Sequence, residues 1–511
     1  MSVTASPVDL SQCALALLTE LMAQPWGQVS PSVYETGRLV TLAPWLVGHS
    51  ERVAYLLGEQ HGDGSWGAPD GYGLVPTLSA TEALLSSAAR GDADVDVLRQ
   101  AAERGLRKLR DWLHEASELP DTPAIELIVP SLVALINAHG RAEPLPLPPG
   151  MDGTRLRAVR GLVESGAEPP QKLLHALEVA GPAATRARTV RPTPVGTVGA
   201  SPAATAAWVG GDDATGAAAS ARRHLEAVAE RFGGPVPVGL PITIFERGWV
   251  LSSLIRAGVP VEVPAELAAE LRAAIGPGGT PAGTGLPADA DTTSVALYTL
   301  ALLGMAHEPE PLLVFDTGAH FSTWGEEDGF SISVNAHVLD ALREYVRARP
   351  AARARYEPVM TRLAQWLVTV QQPDGSWHDR WHASPYYATL SCVLALGELD
   401  GAEHSTAIGK AREWVLSTQR DDGSWGRWAG GSEETAYAVQ ALLLSGPEPD
   451  ERCRRAAARG YHFLLQSADE TEYPPLWHDK DLYTPTAIVR AAILAALHVT
   501  QTHNKGIRGI E

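Results

Sequence analysis

Cysteine is nearly missing from this sequence: three in 511 residues, at Cys13, Cys392 and Cys453. Three widely spaced thiols make neither a disulfide framework nor a zinc site, and they suit a reducing, cytoplasmic compartment. Basic residues are also short, with 41 Lys and Arg against 60 Asp and Glu, for a formal charge of −19. That balance argues against nucleic acid and against a polybasic membrane surface, while an anionic small molecule needs only a local cluster of cations. No apolar run reaches the roughly 18 residues that span a bilayer, so no integral membrane segment is expected. The first residues carry Asp9 and Glu20 and no basic region, unlike a signal peptide. Phenylalanine is scarce at 6, yet tryptophan reaches 14. Indoles therefore have some particular use here.

What is present is a repeat. Residues 60–66 (QHGDGSW), 371–377 (QQPDGSW) and 419–425 (QRDDGSW) are three copies of QxxDGSW. Each follows an amphipathic run, so each reads as a helix ending in an Asp-Gly turn with a Trp plugged between successive helices. The last two copies stand one helix pair apart. Period-2 patterns are scarce, while runs such as 294–303, 336–346, 435–444 and 487–498 carry apolar residues at helical steps. The fold class expected is all-α. The length exceeds one ordinary domain and predicts two. Pro- and Gly-rich stretches fall at 143–153, 192–202 and 276–287.

The last of these leads into residues 289–294 (DADTTS), which open an apolar helix. An N-cap accounts for that spacing. A general acid also accounts for it, if burial and a neighbouring carboxylate outweigh the helix N-terminus, which favours the charged form. Such an acid needs a partner that holds its proton. Asn335 lies on the apolar stripe of Val338, Leu339 and Leu342 and must find a hydrogen bond, to that acid or to nearby backbone. His337 reads as a structural histidine. Two segments, 377–389 and 474–485, mix rings with charge. They could line a pocket that holds a cation against π faces and an anion at its mouth, or simply pack indoles under snorkelling charges.

Taken in order, these segments resemble class II terpene cyclases. QxxDGSW is similar to that family's QW repeat and DADTTS to its DxDD acid motif, in the DxDTT variant. Residues 32–36 (SVYET), 126–132 (ELIVPSL), 201–206 (SPAATA), 245–249 (FERGW), 331–337 (SISVNAH), 380–389, 433–437 (EETAY) and 475–485 follow the family's other motifs in sequence. The resemblance implies two α-barrel domains in a βγ arrangement: a β domain from 1–27 plus 246–511, and an inserted γ domain from 28–245. It implies that Asp291 protonates the terminal alkene of a linear prenyl diphosphate, with Asp289 tuning it, Thr292 beside it and Asn335 orienting the proton. Arg380, Lys480 and Arg247 are expected on the diphosphate, and Trp381, Tyr386, Tyr387, Trp477 and Tyr483 around the hydrocarbon. Mg²⁺ is expected to assist, through acids the motifs do not place. Neither Asp212–Asp213 nor Asp421–Asp422 continues into a DDxxD motif, so the diphosphate should stay on the product, for a downstream phosphatase or class I synthase. DxDTT is similar to bacterial drimenyl diphosphate synthases, which points to farnesyl diphosphate. It is also similar to halimadienyl diphosphate synthases, which points to geranylgeranyl diphosphate and a labdane-, halimadane- or clerodane-type product. The expectation here is farnesyl to drimenyl diphosphate. A triterpene cyclase and a non-catalytic helical-repeat module are the competing readings.

Overall fold

The computed structural model describes residues 9–114, 119–140, 143–211, 215–325, 327, 329–446 and 448–508. Asp212 and Asp213 lie outside them. The helices close into two rings, as the expected pair of α-barrels requires. In the first ring, six inner helices pack each on the next, and the last packs back on the first. They are Thr243–Arg256, Ala290–Leu302, Ile332–Ala348, Pro385–Gly397, Ser432–Leu444 and Thr486–Arg508. Leu10–Ala23, Ala265–Ala274, Arg353–Thr369, Ala402–Ser417 and Glu451–Gln466 lie outside them. The second ring closes through Val33–Leu42, Leu74–Arg90, Ile125–Asn137, the 3-10 segment Gln171–Ala184 and Pro202–Val209.

Sequence decides which helices are inner. Pro385–Gly397 is buried without a break from Tyr386 to Leu396, as an all-round apolar helix must be. Val95–His114 is charged on one face and buries only a stripe, Leu98, Ala101, Ala102, Gly105, Leu106, Leu109 and Leu113. That is the outer pattern.

The QxxDGSW turns fasten each outer helix to the next by one repeated set of bonds. The Gln371 amide donates to the carbonyls of Gly375 and Ala407 at 2.9 and 2.8 Å. Asp374 accepts from the Ser376 N–H, and the Trp377 indole donates to Leu367 O at 2.9 Å. Gln60 with Trp66, and Gln419 with Trp425, repeat this bond for bond. All three indoles are completely buried. At Gly375 the backbone has φ +99°, and a Cβ would strike Lys410 O at 2.5 Å, so only glycine fits.

Two short hairpins deliver chemistry to the first ring. Thr280–Pro281 pairs antiparallel with Ala288–Asp289 and ends at the acid motif. The glycine-rich loop between them lies flat on the chain before it: a Cβ on Gly283 would overlap Pro241 O. Trp477–His478 pairs with Leu482–Tyr483, placing Trp477 opposite Tyr483.

Candidate active site

Asp289 caps the helix Ala290–Leu302. It accepts from the Thr292 N–H at 2.6 Å and the Thr292 hydroxyl at 2.9 Å. Burial raises its carboxyl to about 8, against the two Thr292 bonds that lower it and with the nearby Asp291 charge raising it further. The cap is therefore a neutral acid at pH 7. Asp291, one turn in, has its Oδ1 2.6 Å from His337 Nδ1, and the two side chains are 15 % and 11 % exposed. Across the ring, His337 Nε2 meets Ser391 Oγ at 3.4 Å, while that hydroxyl donates to Tyr387 O at 3.0 Å. Ser391 has one proton and has spent it, so Nε2 carries a hydrogen. Nδ1 is left to share a proton with Asp291.

His337 stands in the wall of a cavity inside the first ring, with Trp249, Val295, Tyr298, Tyr387 and Tyr437. The rings are set rather than loosely packed. The Trp249 indole donates to Tyr387 Oη at 2.8 Å, Tyr387 lies 4.8 Å from Trp477 and 5.4 Å from Tyr437, and Phe245 sits 4.4 Å from Trp249. A shared proton beside a π-rich chamber can protonate an alkene and shelter the cation that results.

Comparison with known proteins agrees with this chemistry. A family model described as the squalene-hopene cyclase C-terminal domain matches residues 327–495. The chain is 45% identical over 98% of its length to an ent-copalyl diphosphate synthase of Streptomyces sp. (strain KO-3988), covering 98% of that protein. It is 42% identical over 96% to a copalyl diphosphate synthase of Streptomyces cyslabdanicus, of which 96% is covered. It superimposes on an ent-copalyl diphosphate synthase from Streptomyces platensis with a TM-score of 0.91 at 46% identity, over 96% of this chain and 99% of that one. The chain is a class II terpene cyclase. The reading as a non-catalytic module falls with this.

Several residues expected in the cyclase site lie elsewhere. Asn335 does not reach Asp291: its amide is saturated by Phe321 N–H, Phe321 O and Ser331 O, at 2.7, 2.9 and 2.8 Å. It braces the loop before its own helix, and His337, two residues on and on another face, takes the place beside the acid. Lys480 is fully buried against Glu35 at 3.0 Å, Glu178 at 3.2 Å and Ser201 at 3.0 Å, with His175 O as a further acceptor. It ties the Trp477–Tyr483 hairpin to the second ring and has no charge to spare for a diphosphate. Arg247 pairs with Glu270 on an outer helix. Tyr386 turns outward onto Trp414, ring centroids 4.7 Å apart. Arg380 bridges the rings, 2.7 Å from both Asp121 and Glu327, with Trp381 beneath it at 5.3 Å. Trp381 in turn meets Trp324 edge-on and donates to the Thr323 hydroxyl.

Two residues at this site passed unnoticed in the sequence. Trp249 lies within the FERGW motif, and Tyr437 within EETAY. Their spacing alone is that of any packed helix. Among the described residues, no group of three or more His, Cys, Asp or Glu is arranged to hold a metal ion, and no helix is long and apolar enough to cross a membrane. Asp422 is occupied in capping its QxxDGSW turn.

Proposed function

We propose that this cyclase converts geranylgeranyl diphosphate to a bicyclic copalyl diphosphate of the ent hand, keeping the diphosphate. The observation that carries the reaction is the Asp291–His337 pair at an aromatic-walled cavity. Chain length and hand are supported by the full-length likeness to two ent-copalyl diphosphate synthases at 45% and 46% identity. These relatives make twenty-carbon products, so the farnesyl-to-drimenyl expectation drawn from the DxDTT variant is corrected. They are also diphosphate synthases, which counts against a triterpene substrate.

Asp291 gives its proton to the terminal double bond, and the tertiary cation draws the next two double bonds into rings. Asp289, neutral below about pH 8, adds no like charge to the carboxylate left behind. Thr292 holds Asp289 in that role through both its bonds. Trp249, Tyr387 and Trp477 offer π faces to the migrating charge where a lone pair would capture it. Nothing in this sequence of steps ionises the diphosphate, so the product leaves for a phosphatase or a class I synthase. Arg380, paired with Asp121 and Glu327 where the rings meet, would have to release the exposed Asp121 to take the diphosphate. Magnesium enters only as a counter-ion of diphosphate oxygens, since the described residues offer no ligand cluster, and no step uses it. A cytoplasmic setting fits the free thiols.

The test is incubation with geranylgeranyl or farnesyl diphosphate, followed by phosphatase and chiral gas chromatography with mass detection. ent-Copalol from the C20 substrate is expected. A C15 bicyclic alcohol with no C20 product would return the reading to drimenyl diphosphate.

A further inference from the structure

We infer that Tyr437 is the base that ends the reaction, taking a proton from the bicyclic cation while its own hydroxyl proton passes to Glu433. This rests on the proposed cyclisation, though not on its chain length.

A tertiary carbocation needs only a weak base, because the C–H bonds beside it are extremely acidic. A bare carboxylate in the chamber would be worse than none, since it would bond to the cation. The structure resolves that conflict by layering. Tyr437 lines the cavity, and its hydroxyl donates to Glu433 Oε1 at 2.9 Å, so the carboxylate stands behind the phenol. Glu433 is 1% exposed. Its Oε1 also receives the Trp477 indole N–H at 2.8 Å and His382 Nε2 at 3.2 Å. His382 Nδ1 accepts from the Ser384 N–H at 3.0 Å, which fixes the hydrogen on Nε2 and makes His382 a donor to Glu433. Glu433 Oε2 is buried with no hydrogen-bond partner among the described residues. A carboxylate with three donors on one oxygen and a bare second oxygen is able to accept a proton.

The other polar groups of the wall are committed: Asp340 pairs with Arg256 and Arg343, Tyr298 accepts from Arg256, and Gln440 donates to Ala492 O. His337 shares its proton with Asp291. Tyr387 accepts from Trp249, and among the described residues no carboxylate accepts from its hydroxyl. Position also suits Tyr437. It and His337 flank Tyr387 at 5.4 and 6.1 Å between ring centroids, so the proton enters and leaves at separate points of one wall.

In the step itself, a C–H bond beside the cationic carbon breaks and its electron pair becomes the new double bond. The proton goes to Tyr437 Oη, and the Tyr437 O–H bond breaks as its proton joins Glu433. After product release, water entering the cavity takes the proton back out through Tyr437.

The test compares the wild type with Tyr437→Phe and Glu433→Gln, using whichever diphosphate the wild type cyclises. Products are profiled by mass spectrometry, and folding is checked by thermal melting. Tyr437→Phe keeps the ring and loses only the hydroxyl. Both variants should still consume substrate, but the wild-type product should fall several-fold as a share of the total, in favour of double-bond isomers and water-captured alcohols. If Tyr437→Phe is folded and yields the wild-type product alone, at any rate, the base assignment is overturned. Should the wild type cyclise only the C15 substrate, the chain-length reading fails while the product shift still decides the base.

Discussion

Two buried polar clusters in this molecule look alike in composition and differ in what they can do. Lys480, Glu35, Glu178 and Ser201 join the second hairpin to the second ring, and the ammonium finds an acceptor in every direction. Burial pushes Glu35 up while Lys480 pulls it down, and the two acids hold Lys480 above its ordinary value against burial. Such a set is built around its cation: Lys480 spends its N–H bonds on these acceptors and keeps none for a substrate. Asp289, Asp291 and His337 are three groups with no cation to neutralise them, arranged around a shared proton at a cavity wall. One cluster holds the rings together, and the other keeps a proton available. The difference is the built-in cation of the first set and the cavity beside the second.

The comparison can be broken most severely from the structural side. Lys480→Met leaves two carboxylates buried without their counter-charge, and loss of one partner from such a pair costs about 3–5 kcal/mol. A large drop in melting temperature is expected, with activity lost through unfolding. A stable Lys480→Met protein with a selectively raised KM would make Lys480 a substrate ligand after all. On the chemical side, His337→Phe removes the group sharing the Asp291 proton. It should lower kcat by about 10²-fold, in the range of proton-transfer groups, with a melting temperature near the wild type. Equal loss of both quantities would place His337 among the structural residues. The finest distinction concerns pH. Because burial raises Asp289 to about 8, the folded state holds a proton that the unfolded chain releases near 4. Stability owed to this group is full at low pH and declines as pH rises from about 4 to 8. Above about 8 the ionised cap adds a like charge beside Asp291 and makes it a weaker donor. The kcat profile should fall there, and Asp289→Asn, which mimics the neutral cap, should abolish that alkaline limb.

Much of this was legible in the chain. The QxxDGSW copies fixed three turns because an Asp-Gly bend, a Gln side chain and an indole each have one way to satisfy their groups there. The acid motif was legible because a glycine-rich loop followed by Asp, Asp and Thr at an apolar helix start is a rare pattern. What stayed hidden is direction. Asn335 and His337 differ by two positions, about 200° around a helix, and the apolar stripe through Val338 and Leu342 pointed to the wrong one. Lys480 and Arg247 read as ligands because cations beside rings suggest an anion. Their carboxylate partners, Glu35, Glu178 and Glu270, lie far off in sequence or on another helix. Tyr437 was invisible because its meaning depends on Glu433 one turn behind it and on a cavity that no local pattern encodes.

The central claim is that Asp291 supplies the initiating proton. Asp291→Asn is nearly isosteric, leaves the Asp289 cap of its helix in place, and carries no acidic proton. Single-turnover incubation of this variant with geranylgeranyl diphosphate should leave the substrate linear while the melting temperature stays close to that of the wild type. Formation of the bicyclic diphosphate at a wild-type rate would contradict the account.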